Sequence, residues 1–185
     1  MNNKALWIVL ALVAVIAIGA FSSYNGLVGM NESVNGKWSQ IENQLQRRGD
    51  LIPNLVNTVK GYAAHEQAAI QAVSDARAKL AGAQGPAAKA QANSDMNGAL
   101  SRLLMVAENY PNLKADASFK QLMDELAGTE NRIAVARKDY NDAVQVYNTK
   151  IKSLPTSIFA GAFGFTQKEY FKADEAAKAV PQVKF

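Results

Sequence analysis

Residues 34–62 read VNGKWSQIENQLQRRGDLIPNLVNTVKGY, and their large apolar side chains recur at alternating steps of four and three: Val34, Trp38, Ile41, Leu45, then Ile52, Leu55, Val59 and Tyr62. That rhythm puts one apolar stripe on a helix and leaves the other faces polar, so partner helices must cover the stripe. Ala69, Val73, Ala76 and Leu80 continue the same steps, and the whole reads as one long seam. Gly49 and Pro53 interrupt it. A proline inside a helix loses its bond to the carbonyl four residues back and crowds it. Here that carbonyl belongs to Gly49, so a kink is expected near residue 50. Alternatively, Asp50 caps a new helix with Pro53 in its first turn.

Towards the C-terminus, AGAQGPAAKAQANSD (Ala81 to Asp95) is small, polar and contains Gly-Pro, and it reads as a connector. Ser94 then reads as the N-cap of a short helix carrying Leu100, Leu103, Leu104 and Ala107, which Pro111 ends. A further long helix is expected from Ser118, where Gln121 completes a capping-box pattern. Its seam is Phe119, Met123, Leu126, Ile133, Tyr140, Val144, Tyr147, Ile151 and Leu154, until Pro155 stops it. The tail holds FAGAFGF (Phe159 to Phe165), then Lys168 to Lys178 and an apolar end with Val180, Val183 and Phe185. It is expected to form a turn, one short helix and an extended end docked on the bundle.

Towards the N-terminus, Ala5 to Phe21 reads ALWIVLALVAVIAIGAF, and no charge follows until Glu32. About 20 apolar residues suffice to cross the hydrocarbon core, so a spanning helix is the simplest reading. A cleaved signal peptide is the alternative, with Ala20-Phe21-Ser22 as a small-x-small site, but the run is longer than a usual signal core. The expected organisation is an N-terminal flank at 1–4, a transmembrane anchor at 5–27, a helical bundle at 31–155 and an aromatic-rich tail at 156–185 packed on it. The fold class is all-α: a transmembrane helix followed by an antiparallel helical bundle with a long, kinked first helix. Lys4 flanks the entry to the anchor, and the exit side has no basic residue before Lys37, which favours a cytoplasmic N-terminus and an extracytoplasmic bundle.

The chemistry the sequence offers is sparse. The absence of cysteine removes disulfides, thiol catalysis, cysteine-held metals and a lipoprotein anchor. The 20 Lys and Arg are dispersed among 16 Asp and Glu, which points away from nucleic acid. His65 is the lone histidine, beside Glu66, and reads as a polar helix-face residue rather than a base or a ligand. The glycines near Gly82 to Gly85 and Gly161 to Gly164 lack the lysine and the strand–helix frame of a phosphate loop and read as turns. No cofactor is implied. The tail aromatics can meet a bilayer interface, but a satellite core on the bundle is the commoner fate.

Continuing the four–three rhythm through its gaps puts Arg48 and Glu66 at core positions of the first seam, and Glu130 and Arg137 at core positions of the later one. Charges are seldom buried without partners, so these four are a candidate structural polar core. Arg48 to Glu130 is the first pair to expect, and Glu66 and Arg137 can pair with others such as Glu108 or the tail lysines. Alternatively, each long side chain snorkels to water. Trp38, Ile41 and Leu45, early on the seam, are a candidate self-association interface, unless the later helix covers them.

With these residues on the page, the chain resembles the LemA family of bacterial membrane proteins. The resemblance rests on WSQIENQLQRRGDLIPNLVNTVKGYAAHE (Trp38 to Glu66), YPNLKA (Tyr110 to Ala115), FKQLMDELAGTENRIAVARKDYNDAVQVYN (Phe119 to Asn148) and the tail pattern FAGAFGF, Tyr170-Phe171 and Pro181 to Phe185. It implies an N-terminal anchor in the bacterial cell membrane and an antiparallel helical bundle, but no mechanism. A related group that takes part in forming magnetosome membranes implies, by analogy, a membrane-organising role. The functional expectation is a non-enzymatic scaffold or interaction module whose partners are the lipid bilayer, a second copy or other membrane proteins. The alternative is a transmembrane sensor or adaptor, which an unbroken helix from anchor to bundle would favour.

Overall fold

The structure, a computed structural model, describes residues 3–172. Six helices follow one another: α1 (Asn3–Tyr62), α2 (Gln67–Gly82), α3 (Gly85–Ala107), α4 (Pro111–Ala115), α5 (Ala117–Lys152) and α6 (Thr156–Ala160), with no strand among the described residues. The chain divides into two compact units. One combines Met1–Trp38 with Asp139–Lys168, and the other combines Ser39–Lys138 with Glu169–Phe185.

In the first unit, the apolar side chains of α1 from Leu6 to Phe21 stand exposed, and burial begins at Leu27 and continues at Val34. Tyr140, Val144, Tyr147 and Ile151, one stripe of α5 at four–three steps, are buried in the same unit. The two helices run antiparallel. Lys37 pairs with Asp139 at 3.1 Å, Trp38 lies 5.4 Å from the Tyr140 ring, and the chain that follows α5 returns to Tyr24, earlier on α1. Beyond α6, Gly164 takes a left-handed φ of 77°, which a side chain would resist, and closes a turn. The irregular segment after it is held to α5 by Asn148, whose side chain both donates to the Lys168 carbonyl and accepts its N–H, each at 2.9 Å.

The second unit begins where α1 continues past Ser39. α1 is unbroken through Gly49 and Pro53, so Asp50 does not start a new helix. Pro53 cannot donate to the Gly49 carbonyl, yet that carbonyl is satisfied: Arg77 Nε donates to it at 2.9 Å. This contact also sets the direction of α2. The chain reverses at Ala63–Glu66, so the expected single seam is in fact two helices, and α2 runs back along α1. His65 sits exposed in that reversal, not on a helix face. α2 and α3 then form a hairpin joined by only Ala83 and Gln84, tied by Lys79 to Asp95 at 3.3 Å and Lys89 Nζ to the Leu80 carbonyl at 2.9 Å.

Three local expectations are corrected. The segment Ala81 to Asp95 is mostly helix, because Gly-Pro opens α3 instead of forming a loop: Gly85 has φ 76°, Pro86 stands in the first turn, and the alanine-rich stretch after it favours helix. Ser94 is therefore inside α3 and caps nothing. At α5 the cap is Asp116, whose carboxylate accepts the Phe119 N–H at 2.8 Å, and Ser118 lies in the first turn. The short tail helix α6 precedes the turn, and the stretch from residue 173 onward lies outside the described residues.

Candidate functional site

The chemistry of the second unit concentrates on Arg48, which is 3 % exposed on α1. A guanidinium stays charged in proteins, so burial demands acceptors on several sides. They come from two other helices. Asn93 and Asn97, one turn apart on α3, and Glu130 on α5 all face it. Arg48 Nη1 donates to Asn93 Oδ1 at 2.6 Å and forms a short ion pair with Glu130 Oε2, and Nη2 donates to Asn97 Oδ1. Asn97 Nδ2 lies 3.4 Å from Glu130 Oε1, which closes the ring of contacts. Burial pulls the Arg48 pKa below its ordinary value, against the charge and hydrogen bond of Glu130, which raise it. Nε is buried without an acceptor. The side chain of Glu130 is 39 % exposed, so the buried member of the pair is the arginine and the carboxylate sits at its watered edge.

The remaining candidates are placed elsewhere. Glu66 precedes α2 and accepts the Tyr110 hydroxyl at 3.0 Å, so among the described residues its partner is a phenol. Glu108 pairs with Lys114. Arg137 is half-buried on α5 and makes no ion pair with the other three. A second tyrosine–carboxylate contact joins the end of α1 to the start of α5, where Tyr62 donates to Asp116 at 2.9 Å. These bonds raise the pKa of both phenols, and the Phe119 N–H followed by the Tyr62 hydroxyl lowers that of Asp116. Ile41 and Leu45 are 0 % and 2 % exposed within the single chain, so they offer no surface for a second copy; Trp38 is half-buried beside Tyr140.

An open groove of about 440 Å³ runs past Glu42, Leu45, Asp50, Arg77 and Lys89. Its two cations are committed to backbone carbonyls, Arg77 to Gly49 and Lys89 to Leu80, so they hold the hairpin instead of awaiting an anion. Among the described residues, no group of three or more His, Asp or Glu could hold a metal ion.

The arrangement as a whole joins helices through polar groups that, Arg48 Nε excepted, bond to one another. A family model, that of the LemA family, matches residues 37–185. The chain belongs to the LemA family. Two relatives in Paramagnetospirillum magneticum, magnetosome proteins MamQ 1 and MamQ 2, are each 33 % identical over 198 aligned positions, covering 90 % of this chain and 73 % of theirs. Magnetosome protein MamQ of Magnetospirillum gryphiswaldense is 32 % identical, covering 88 % of this chain and 69 % of its own. The family match begins at Lys37 and so includes Arg48, Asn93, Asn97 and Glu130 but not the apolar stretch of α1. That stretch is long and apolar enough to cross a membrane, and this LemA-family chain is a membrane-associated bacterial protein.

Asn93 and Asn97 were missed by the sequence reading because they fall in or next to the presumed connector. Ala92, Met96, Ala99 and Leu103, buried at four–three–four spacing, extend the apolar stripe of α3 back into that segment and were the available signal.

Proposed function

We propose that this LemA-family protein is a membrane-anchored, non-enzymatic helical scaffold that presents its bundle to other membrane components and to further copies of itself. The observation that carries this reading is the Arg48 cluster. The Arg48, Asn93, Asn97 and Glu130 side chains of the second unit are spent on one another, and among the described residues there is no metal-ligand set. The magnetosome proteins among its relatives support a membrane-organising role. Self-association would have to use a surface other than Ile41 and Leu45.

A second reading, a transmembrane sensor or adaptor, draws support from α1, which passes Ser22 to Gly26 without a break and reaches the buried Leu27 and Val34. Photo-crosslinking from exposed Val135 in native membranes distinguishes the two. Self-crosslinks, and capture that persists with one to three alanines inserted after Ser23, support the scaffold. Capture of a single membrane protein that is lost as the insertion rotates the helix supports the adaptor and overturns the scaffold.

The charge bias at Lys4 favours an extracytoplasmic bundle, and this topology is part of the proposal. A cysteine introduced at exposed Ala88 in this cysteine-free chain should react with an impermeant maleimide in cells whose outer barrier has been opened. Labelling only after the inner membrane is lysed would reverse the topology.

A further inference from the structure

The first unit ends in a tip whose level along α1 can be worked out. From the Lys37–Asp139 pair, thirteen residues back along α1 reach Tyr24, and thirteen residues forward along the antiparallel α5 reach Lys152, its last residue. The rings agree with that register. Tyr24 lies 5.2 Å from Phe163 and 5.8 Å from Phe165, and Phe159 and Phe163 stack at 6.3 Å. A hydrocarbon core of about 30 Å takes about 20 helical residues at 1.5 Å each. Counted from Ala5, that length ends at Tyr24, which places the phenol at the headgroup boundary, a depth that tyrosine favours.

The turn that meets Tyr24 therefore lies at the membrane surface, and its composition fits that place. Leu154, Ile158 and Phe163 are 78 %, 66 % and 39 % exposed. Leu154, Ile158 and Ala162 are all exposed, while Thr156 and Ala160 of α6 are buried. No acid occurs from Ala143 to Lys168 or from Ala5 to Asn31, whereas Lys150, Lys152 and Lys168 occur in the first of these stretches. Exposed apolar side chains rimmed by lysines suit an anionic interface better than water.

We propose that the Leu154–Phe165 turn docks on the bilayer beside the anchor. Leu154, Ile158 and Phe163 enter the headgroup–acyl boundary, and Lys150 and Lys152 face anionic phospholipid headgroups. The inference rests on the membrane-anchored reading and adds a second attachment of the same unit, which fixes the base of α1 at the surface. The lysines lie more than a hundred residues beyond the anchor, outside the short flanks on which the positive-inside bias acts, so they do not alter the topology argument.

Because the chain has no cysteine, single spin labels can report depth in the full-length protein in nanodiscs. Labels at Ile158 and Leu154 are compared with Val13, inside the anchor, and Val146, exposed on α5 roughly 9 Å before the helix end. With phosphatidylglycerol present, the Ile158 and Leu154 labels should show an oxygen-to-nickel accessibility ratio between those of Val13 and Val146, falling towards Val146 in phosphatidylcholine alone. If both labels match Val146 while Val13 is immersed, the docking is wrong and the anchor stands. Val13 as accessible as Val146 overturns the anchor and the docking with it. Equal immersion in neutral lipid removes the role given to the lysines.

Discussion

Removing Glu130 should harm the protein more than removing Arg48, because burial in this pair is one-sided. The arginine side chain is 4 % exposed and the glutamate side chain 39 %. Glu130→Met leaves a guanidinium in the interior with only the Asn93 and Asn97 oxygens to face. Stranding one member of a buried pair costs roughly 3–5 kcal/mol, and the two remaining acceptors put this case near the lower end, about 3 kcal/mol. Arg48→Met leaves a carboxylate that water already reaches, removes the unsatisfied Nε and fills the space with apolar atoms. Its penalty is the lost partner of Asn93, 7 % exposed, and of Asn97, about 1–3 kcal/mol. The double change keeps only that second penalty, so it should be more stable than Glu130→Met alone, with a coupling of about 3 kcal/mol, the whole of the Glu130→Met penalty. Urea unfolding of the full chain in mild detergent, followed by far-ultraviolet circular dichroism, measures all four proteins. A larger loss for Arg48→Met than for Glu130→Met, or losses additive within about 0.5 kcal/mol, would refute the reasoning.

Two further perturbations test the contacts that shape the second unit. Arg77→Met should destabilise the native chain by about 0.5–1.5 kcal/mol, since the Gly49 carbonyl then has only water, but should cost much less beside Pro53→Ala, which restores the backbone donor; equal losses in both backgrounds would separate Arg77 from the proline. The Tyr62–Asp116 contact should set limits at both ends of the pH scale. Asp116 is held below its ordinary 3.8, so its contribution is present above that value and fades as pH falls through the lower folded one. Tyr62 is held above its ordinary 10.0, so its contribution is present below that value and fades as pH rises through the higher one. The stability difference between the native chain and Asp116→Ala should therefore stay flat from roughly pH 5 to 9 and shrink outside it, as thermal unfolding across pH would show; a change within that range would mean another group titrates.

The parts of the fold legible in the sequence were those written in large side chains. The stripe Val34, Ile41, Leu45, Ile52, Leu55 and Val59 is buried along α1, as is Phe119, Leu126, Ile133, Tyr140, Val144 and Tyr147 along α5, because a heptad of bulky residues has no other stable use. The reversal at Ala63–Glu66 was illegible for the same reason: Tyr62, Ala69 and Val73 keep the four–three count across a break that carries neither Pro nor a capping side chain. Spacing reports which residues share a face and not whether the helix between them persists. The tyrosine contacts with Glu66 and Asp116, which hold the chain around this turn, depend on partners some fifty residues apart and leave no local trace.

α3 shows how a polar core can hide in a segment that looks like a linker. Arg48 in register on the seam implied a buried charge, and one carboxylate was legible as its partner. A guanidinium presents five donors, however, and a single half-exposed Glu130 cannot occupy them. The shortfall itself predicts further acceptors from a helix that comes close enough for short side chains to reach. Asparagine is such a side chain, and a helix approaches closely where its neighbouring residues are small. The run AAKAQANSDMNGA supplies both, with Asn93 and Asn97 one turn apart among alanines, and the alanine content that suggested a flexible connector is what lets α3 form a helix close to Arg48.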